Sequence, residues 1–355
     1  MSARNSNIFL WCRAVSSSNP RPFCGIYLKI SQTSNEKENC ILPWLFPPPD
    51  SHAQPSQYFH FLLALHFREH KFPALHLHQL PWILVHSEKN FMDFPYVSAP
   101  HRNLMLELIS SMETRIGDSL QPCTLPPDVQ YFENPNGSAH ASLHLRSGVS
   151  SSQIDFILGG WIHCKMPSGG ALNITSLSSY LKPSTDAPHF LMEVIQSSRT
   201  SLVLILDLTP RKDLILNLDY LKTYYEDTQL DTYRQCLQRL PEVRPYFSPS
   251  LYIRSVLSPT AILVGIDTGD GEKSIEEIIQ EHISPIAKDI LQFWLDKCAS
   301  VEKQVGETER AYLAQRDQII KSKTIEVDLG SSFPRLFGQE VSAQILGVLR
   351  EYYNA

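Results

Sequence analysis

The sequence holds no CxxC pair, no HExxH, no nucleophile elbow, no Walker motif and no glycine fingerprint of a dinucleotide fold. These absences remove the usual signatures of zinc sites, metalloproteases, serine hydrolases, P-loop NTPases and Rossmann enzymes. The run GDGEKS (269–274) carries glycine and lysine but does not meet the GxxxxGK[ST] spacing. No Lys/Arg block occurs and the formal charge is −6, which argues against a dedicated nucleic-acid binder. The apolar run Phe59–Phe67 is too short to span a bilayer and is interrupted by His60 and His66, so no membrane span is expected. Seven scattered cysteines, an odd number, suit free thiols in a reducing compartment. Acidic residues are missing from residues 1–35 altogether.

What is present divides the chain. Arg4, Arg13, Arg21 and Lys29 stand among many Ser and Asn residues, the composition of an organellar transit peptide; a disordered basic terminus is the alternative. Residues 1–90 hold 8 basic and 5 acidic residues, the remainder 23 and 32. Residues 41–90 carry seven of the thirteen histidines and seven prolines, with neither a helical nor a strand period nor a metal-site spacing. We read residues 1–90 as a transit-like, low-order segment outside the folded unit, and residues 91–355 as one domain. At 43% hydrophobic and 19% charged, the chain can bury a sizeable core.

The stretch 186–213 organises that domain. Two apolar runs, His189–Ile195 and Ser201–Leu208, flank a polar SSRT segment, which predicts an antiparallel hairpin. Alternation puts Leu191, Glu193 and Ile195 on one face and Phe190, Met192 and Val194 on the other. Both faces are apolar, so the strand is central and Glu193 is the one ionisable group inside it. Such a carboxyl must be paired, protonated or facing a cavity. A structural ion pair, with Arg199 as partner, and a proton donor of raised pKa are both open from the residues alone.

Upstream, HRNLMLELISSMETRIGDSL after Pro100 predicts an amphipathic helix, and 139–146, 154–166 and 171–181 predict strands completing a meander of about five. His163 and Cys164 are adjacent on a strand, point to opposite faces, and read as packing residues. Downstream, 217–240 predicts helix, 248–267 one or two further strands, and Ser274-Ile-Glu-Glu277 a capping box, with a restart at Ser284-Pro285. A charged helix (about 304–322) and an amphipathic one (about 338–353) follow. Strands in a block between helices predict α+β, a three-layer α/β/α sandwich with a central antiparallel sheet.

The segments FMDFPYVS (91–98), NPNGSAHASLHLRSG (134–148), IDFILGGWIHCKMP (154–167), LNITSLSSYL (172–181), EVIQSSRTSLVLILDL (193–208), PEVRPYFSPSLYIRSVLSPTA (241–261) and FPRLFGQEVS (333–342) closely resemble the plant red chlorophyll catabolite reductases. The likeness runs from about Phe91 to near the C-terminus and is absent from residues 1–90. It implies kinship with ferredoxin-dependent bilin reductases and the same sandwich. It further implies reduction of red chlorophyll catabolite, an open-chain tetrapyrrole, to a primary fluorescent catabolite in the chloroplast stroma. No bound cofactor is implied; reduced ferredoxin would be the external electron donor, pheophorbide a oxygenase a further partner, and a homodimer is left open. The family's two pocket carboxylates match Glu193 in MEVIQSS and Asp317 in QRDQIIKSK. Leu257, in SVLSPTA, matches a substrate-pocket position associated with the epimer made; a core aliphatic residue is the alternative. Bilin reductases commonly add a pocket His–Asp pair, and none is placed in this sequence. Two other readings stay open: a non-catalytic bilin-binding or scavenging protein, and a reductase of a heme-derived bilin. Lys165, Arg211, Lys212, Arg254, Lys321 and Lys323 are candidates for a basic rim that steers acidic ferredoxin.

Overall fold

Alternation along the central hairpin is realised residue for residue in the computed structural model, which describes residues 91–354 apart from Ser168, Asp270, Glu272 and residues 302–304. The transit-like segment expected over residues 1–90 lies outside the described residues. Strands β1 (Tyr131–Glu133), β2 (Ala139–Ser147), β3 (Ile154–Lys165), β4 (Ala171–Leu181), β5 (His189–Gln196), β6 (Ser201–Thr209), β7 (Val243–Pro245) and β8 (Ile262–Asp267) form one antiparallel sheet. Its order is β1-β2-β3-β4-β5-β6-β8-β7, so β2 to β6 are the five-strand meander. The three-residue strands β1 and β7 are too short to announce themselves in the sequence.

Helices cover both faces, as the α+β reading requires. On one face, α1 (Ala99–Ile116) and the helix running from Ile275 to Ala299 pack on Ile157, Trp161, Leu177, Phe190, Met192, Val194 and Leu206. Each such large side chain contributes about 1.5–3 kcal/mol by leaving water. Ser274 and Glu277 close the capping box at the start of the second helix. Pro285 does not restart that helix. The turn before it, Ile279–Ile283, is wound as π, and the chain runs through it into the helix Ser284–Trp294.

Between β6 and β8 lie α2 (Leu230–Gln238) and α3 (Leu251–Val256). The expectation of strand at 248–256 is overturned. Ser250 accepts a hydrogen bond from the Ile253 N–H and caps a helical turn, so a local cap outweighs the β-prone Leu-Tyr-Ile run. The predicted helix 217–240 is likewise broken, with a π turn at Lys222–Glu226 ahead of α2.

On the second face, α4 (Glu307–Thr324), a π turn Ile325–Leu329, α5 (Gly330–Phe337) and α6 (Gln339–Asn354) pack on Leu143, Leu145, Phe156, Leu158 and Tyr180. The pair Gly159-Gly160 serves both layers. A Cβ on Gly159 would stand 2.5 Å from the Phe91 ring, so glycine there lets Phe91 lie on the sheet. Gly160 points to the second face. Among the described residues no helix is long and apolar enough to cross a membrane.

Candidate active site

A cross-strand row on the second face reads Leu143, Gly160, Ser176, Glu193, Ile205 by register. The next row reads Leu145, Leu158, Ser178, Leu191, Asp207. Gly160, Ser176 and Ser178 are small, so the sheet floor beside Glu193 is low where neighbouring positions carry Leu or Ile. Two cavities of about 120 and 110 Å³ meet over this floor and share Ser178, Tyr180, Leu191, Glu193, Thr324 and Asp328. Leu257, Ile253, Val256 and Ile320 wall the first; Phe333, Leu329 and Tyr353 wall the second. The result is a mostly apolar space over a floor of small side chains.

Two carboxyls face it, and they are Glu193 and Asp328. Burial pushes the Glu193 carboxyl up to about 8, and the charge of Asp328 adds to the rise. Burial of its carboxyl raises Asp328 too, to about 6, although the residue as a whole keeps exposed surface. Near neutral pH this leaves Glu193 largely protonated beside a largely ionised Asp328, an arrangement that can donate a proton and stabilise positive charge. Glu193 makes no ion pair among the described residues. Arg199, its expected partner, is exposed in the β5–β6 turn.

Asp317 is placed elsewhere. It lines neither cavity, and its carboxylate is held by Arg211, with Nε 3.1 Å from Oδ1 and Nη2 on Oδ2. Arg211 is wholly buried, and its Nη1 donates to the Thr185 carbonyl at 2.6 Å. Nε2 of His189 also lies 3.1 Å from Asp317 Oδ1. Burial alone would raise the Asp317 carboxyl, but His189 and Arg211 hold it down at about 2. His189 lines the Glu193 cavity, so Asp317 reaches that space only through the imidazole. A His–Asp pair is thus formed by residues 128 positions apart, and only its histidine reaches the cavity. Burial, first, lowers the His189 pKa, with Asp317 opposing.

Leu257 stands in the cavity wall. Its neighbour Ser258 is tied to the buried Asp207 of β6, backbone N–H to Oδ2 at 2.9 Å and hydroxyl to Oδ1, which fixes the loop after α3. Of the six rim candidates, Arg211 and Lys321 are corrected: both are buried, Lys321 against Asp155 and over the Phe156 ring. Lys212 is partly buried between Asp186 and Glu309. Lys323 pairs with Glu326 at 2.6 Å, and only Lys165 and Arg254 are well exposed.

Asp328 went unnoticed in the sequence, yet a signal exists. Asp317, Lys321, Thr324 and Asp328 are spaced 4, 3 and 4 apart, one stripe of a helix. Eleven residues separate the two aspartates, about 16 Å of helix axis, so one cavity end cannot hold both. The π turn Ile325–Leu329 carries Asp328, and such turns recur at functional sites. The predicted helix end near residue 322 hid it.

Residues 100–351 match the model of the family described as red chlorophyll catabolite reductase. The chain is 54% identical over 272 residues to the chloroplastic red chlorophyll catabolite reductase of Arabidopsis thaliana, covering 76% of this chain and 85% of that protein. It is 46% identical over 261 residues to the chloroplastic red chlorophyll catabolite reductase 1 of Oryza sativa subsp. japonica, covering 73% and 79%. Among solved structures, phytochromobilin synthase from tomato in complex with biliverdin superposes with a TM-score of 0.58 at 17% identity, covering 72% of this chain and 84% of that one. At that identity the likeness concerns the fold.

Proposed function

The chain belongs to the red chlorophyll catabolite reductase family, and from that premise we propose that it is an oxidoreductase of chlorophyll breakdown acting on red chlorophyll catabolite. Two reduced ferredoxins, each giving one electron, and two protons saturate one carbon–carbon double bond of the open-chain tetrapyrrole to yield a primary fluorescent catabolite. The electrons enter the substrate itself. The chain's own residues bind it flat on the Gly160–Ser176–Ser178 floor, exclude water and supply protons. Glu193 is the acid of choice, since it carries a proton near neutral pH, and Asp328 balances charge on the protonated intermediate. His189, held by Asp317, is a positioning group at the far end of the same cavity. Leu257 shapes the wall against which one face of the substrate rests.

The observation that carries this reading is the juxtaposition of Glu193 and Asp328 in one apolar cavity over a floor of small residues. The chloroplast labels of the relatives support a plastid location, which we take to be the stroma, with pheophorbide a oxygenase as the upstream supplier of substrate. The test is anaerobic incubation of the full-length chain with reduced ferredoxin and red chlorophyll catabolite, followed by absorbance and fluorescence. Loss of the red absorbance with a rise of blue fluorescence is expected. Tight binding with no reduction would make the chain a bilin-binding protein. Faster reduction of biliverdin would move the substrate to heme-derived bilins.

A further inference from the structure

Beside the Glu193 cavity lies a hollow of about 390 Å³ between α3 and α4, walled by Tyr252, Val256, Tyr312, Arg316, Ile319 and Ile320. Tyr252, Val256 and Ile320 line the Glu193 cavity as well, so the two spaces share a wall. Two polar atoms are enclosed there without a partner, Nε of Arg316 and the hydroxyl of Tyr252. Arg316 is anchored by Nη2 on the Pro210 carbonyl at 2.6 Å, and it forms no ion pair among the described residues. Arg211 is the contrast: equally charged, it spends its donors on Asp317 and three backbone carbonyls. A buried donor left without a partner in a native fold asks for an explanation. Two of them at one hollow, one on a guanidinium, point to an absent acceptor of negative charge.

We propose that Arg316 and Tyr252 form a carboxylate subsite, in which Arg316 Nε–H and the Tyr252 O–H donate to one carboxylate of the ligand whose conjugated body fills the Glu193 cavity. This rests on the tetrapyrrole reading above and adds its polarity. The bond to a carboxylate is charge-assisted, and the buried Ile320 backs the hollow on the side it shares with the Glu193 cavity. At the other end, the charge of Asp328 disfavours a second carboxylate. The propionate of the substrate is thereby held at Arg316, and the part of the ring system to be protonated is delivered to Glu193.

The experiment compares red chlorophyll catabolite with the same compound methylated at its free acid, bound to the full-length chain and followed by absorbance. Arg316→Gln should weaken the free acid about ten- to a hundred-fold, the scale of a hydrogen bond to a charged group, and leave the ester within about two-fold. Arg316→Lys should recover part of the loss. Tyr252→Phe, which removes a single oxygen, should weaken the acid several-fold and spare the ester; it decides the matter alone should Arg316→Gln not fold. Equal effects on acid and ester, or none on either, overturn the subsite. Failure of the unmutated chain to bind either compound overturns the subsite together with the tetrapyrrole reading.

Discussion

The Nε2–H of His189 donates to Asp317 Oδ1 at 3.1 Å, and the backbone sets the direction of that bond. The Leu181 N–H donates to Nδ1 of the same ring at 3.1 Å, so in the neutral imidazole the proton resides on Nε2. The charge of Asp317 is met by Arg211, and His189 can stay neutral at the cavity edge.

Asp317→Asn is expected to act on stability. It leaves the wholly buried Arg211 guanidinium without its counter-charge, and breaking a buried pair from one side costs about 3–5 kcal/mol. Denaturant unfolding at pH 7 measures it. The folded pKa of about 2 lies below the ordinary 3.8, so this stabilisation is present above about pH 4 and lost as pH falls through 2. The gap between variant and unmutated chain should therefore close on acidification. A variant as stable as the unmutated chain at pH 7 would contradict the ion-pair role.

Glu193→Gln keeps size and hydrogen bonding and removes the proton. Single-turnover reduction should slow by about a hundred-fold or more, the scale of general acid catalysis, with substrate affinity retained within a few-fold. In the unmutated chain the rate should fall as pH rises through about 8, and the variant should lack that limb. Stability carries the opposite sign from Asp317. A carboxyl raised above its ordinary 4.5 stabilises the fold below that value and loses this as pH rises through 8. The Gln variant should thus gain stability relative to the unmutated chain between pH 6 and 9, read from denaturant midpoints.

Asp328→Asn removes the charge that helps to raise Glu193. The alkaline limb of the pH–rate profile should move to lower pH, and the rate at pH 7 should drop. A limb that stays in place while the rate falls would assign Asp328 to substrate contact alone.

Gly159→Ala drives a Cβ into the Phe91 ring, 2.5 Å away. Overpacking of this kind costs about 1–3 kcal/mol, measurable as a lowered denaturant midpoint. In a Phe91→Ala background the same change should be nearly neutral, since the two residues are in direct contact.

The meander was legible because its strands alternate cleanly and are joined by short polar turns; the Ser274 capping box was legible because a cap is local. Glu193 stood out as a lone acid in an apolar strand, and it does face the cavity. What sequence could not carry were relationships across distance. The union of His189, Arg211 and Asp317 joins β5, the loop after β6 and α4, and nothing in the local pattern of any one announces the others. Arg211 looked like a surface cation because it follows Pro210 at a strand end, where Arg usually meets solvent. The acid stripe on α4 was interrupted by reading the helix as ending near residue 322, when a π turn in fact prolongs it.

That π turn joins two lengths of helix that are pinned independently. Upstream, Asp317 and Lys321 are held by Arg211 and Asp155; downstream, Phe333 and Phe337 are locked against Phe132. Each anchorage dictates its own rotational phase, and a regular α-helix advances about 100° per residue with no slack to reconcile them. The wider turn, bonded from i to i+5, sits between the two fixed spans. Asp328 is mounted on that turn, so its aim into the cavity answers to both anchorages at once, and removing one residue there would return the turn to α winding, keeping both anchorages and redirecting Asp328 alone.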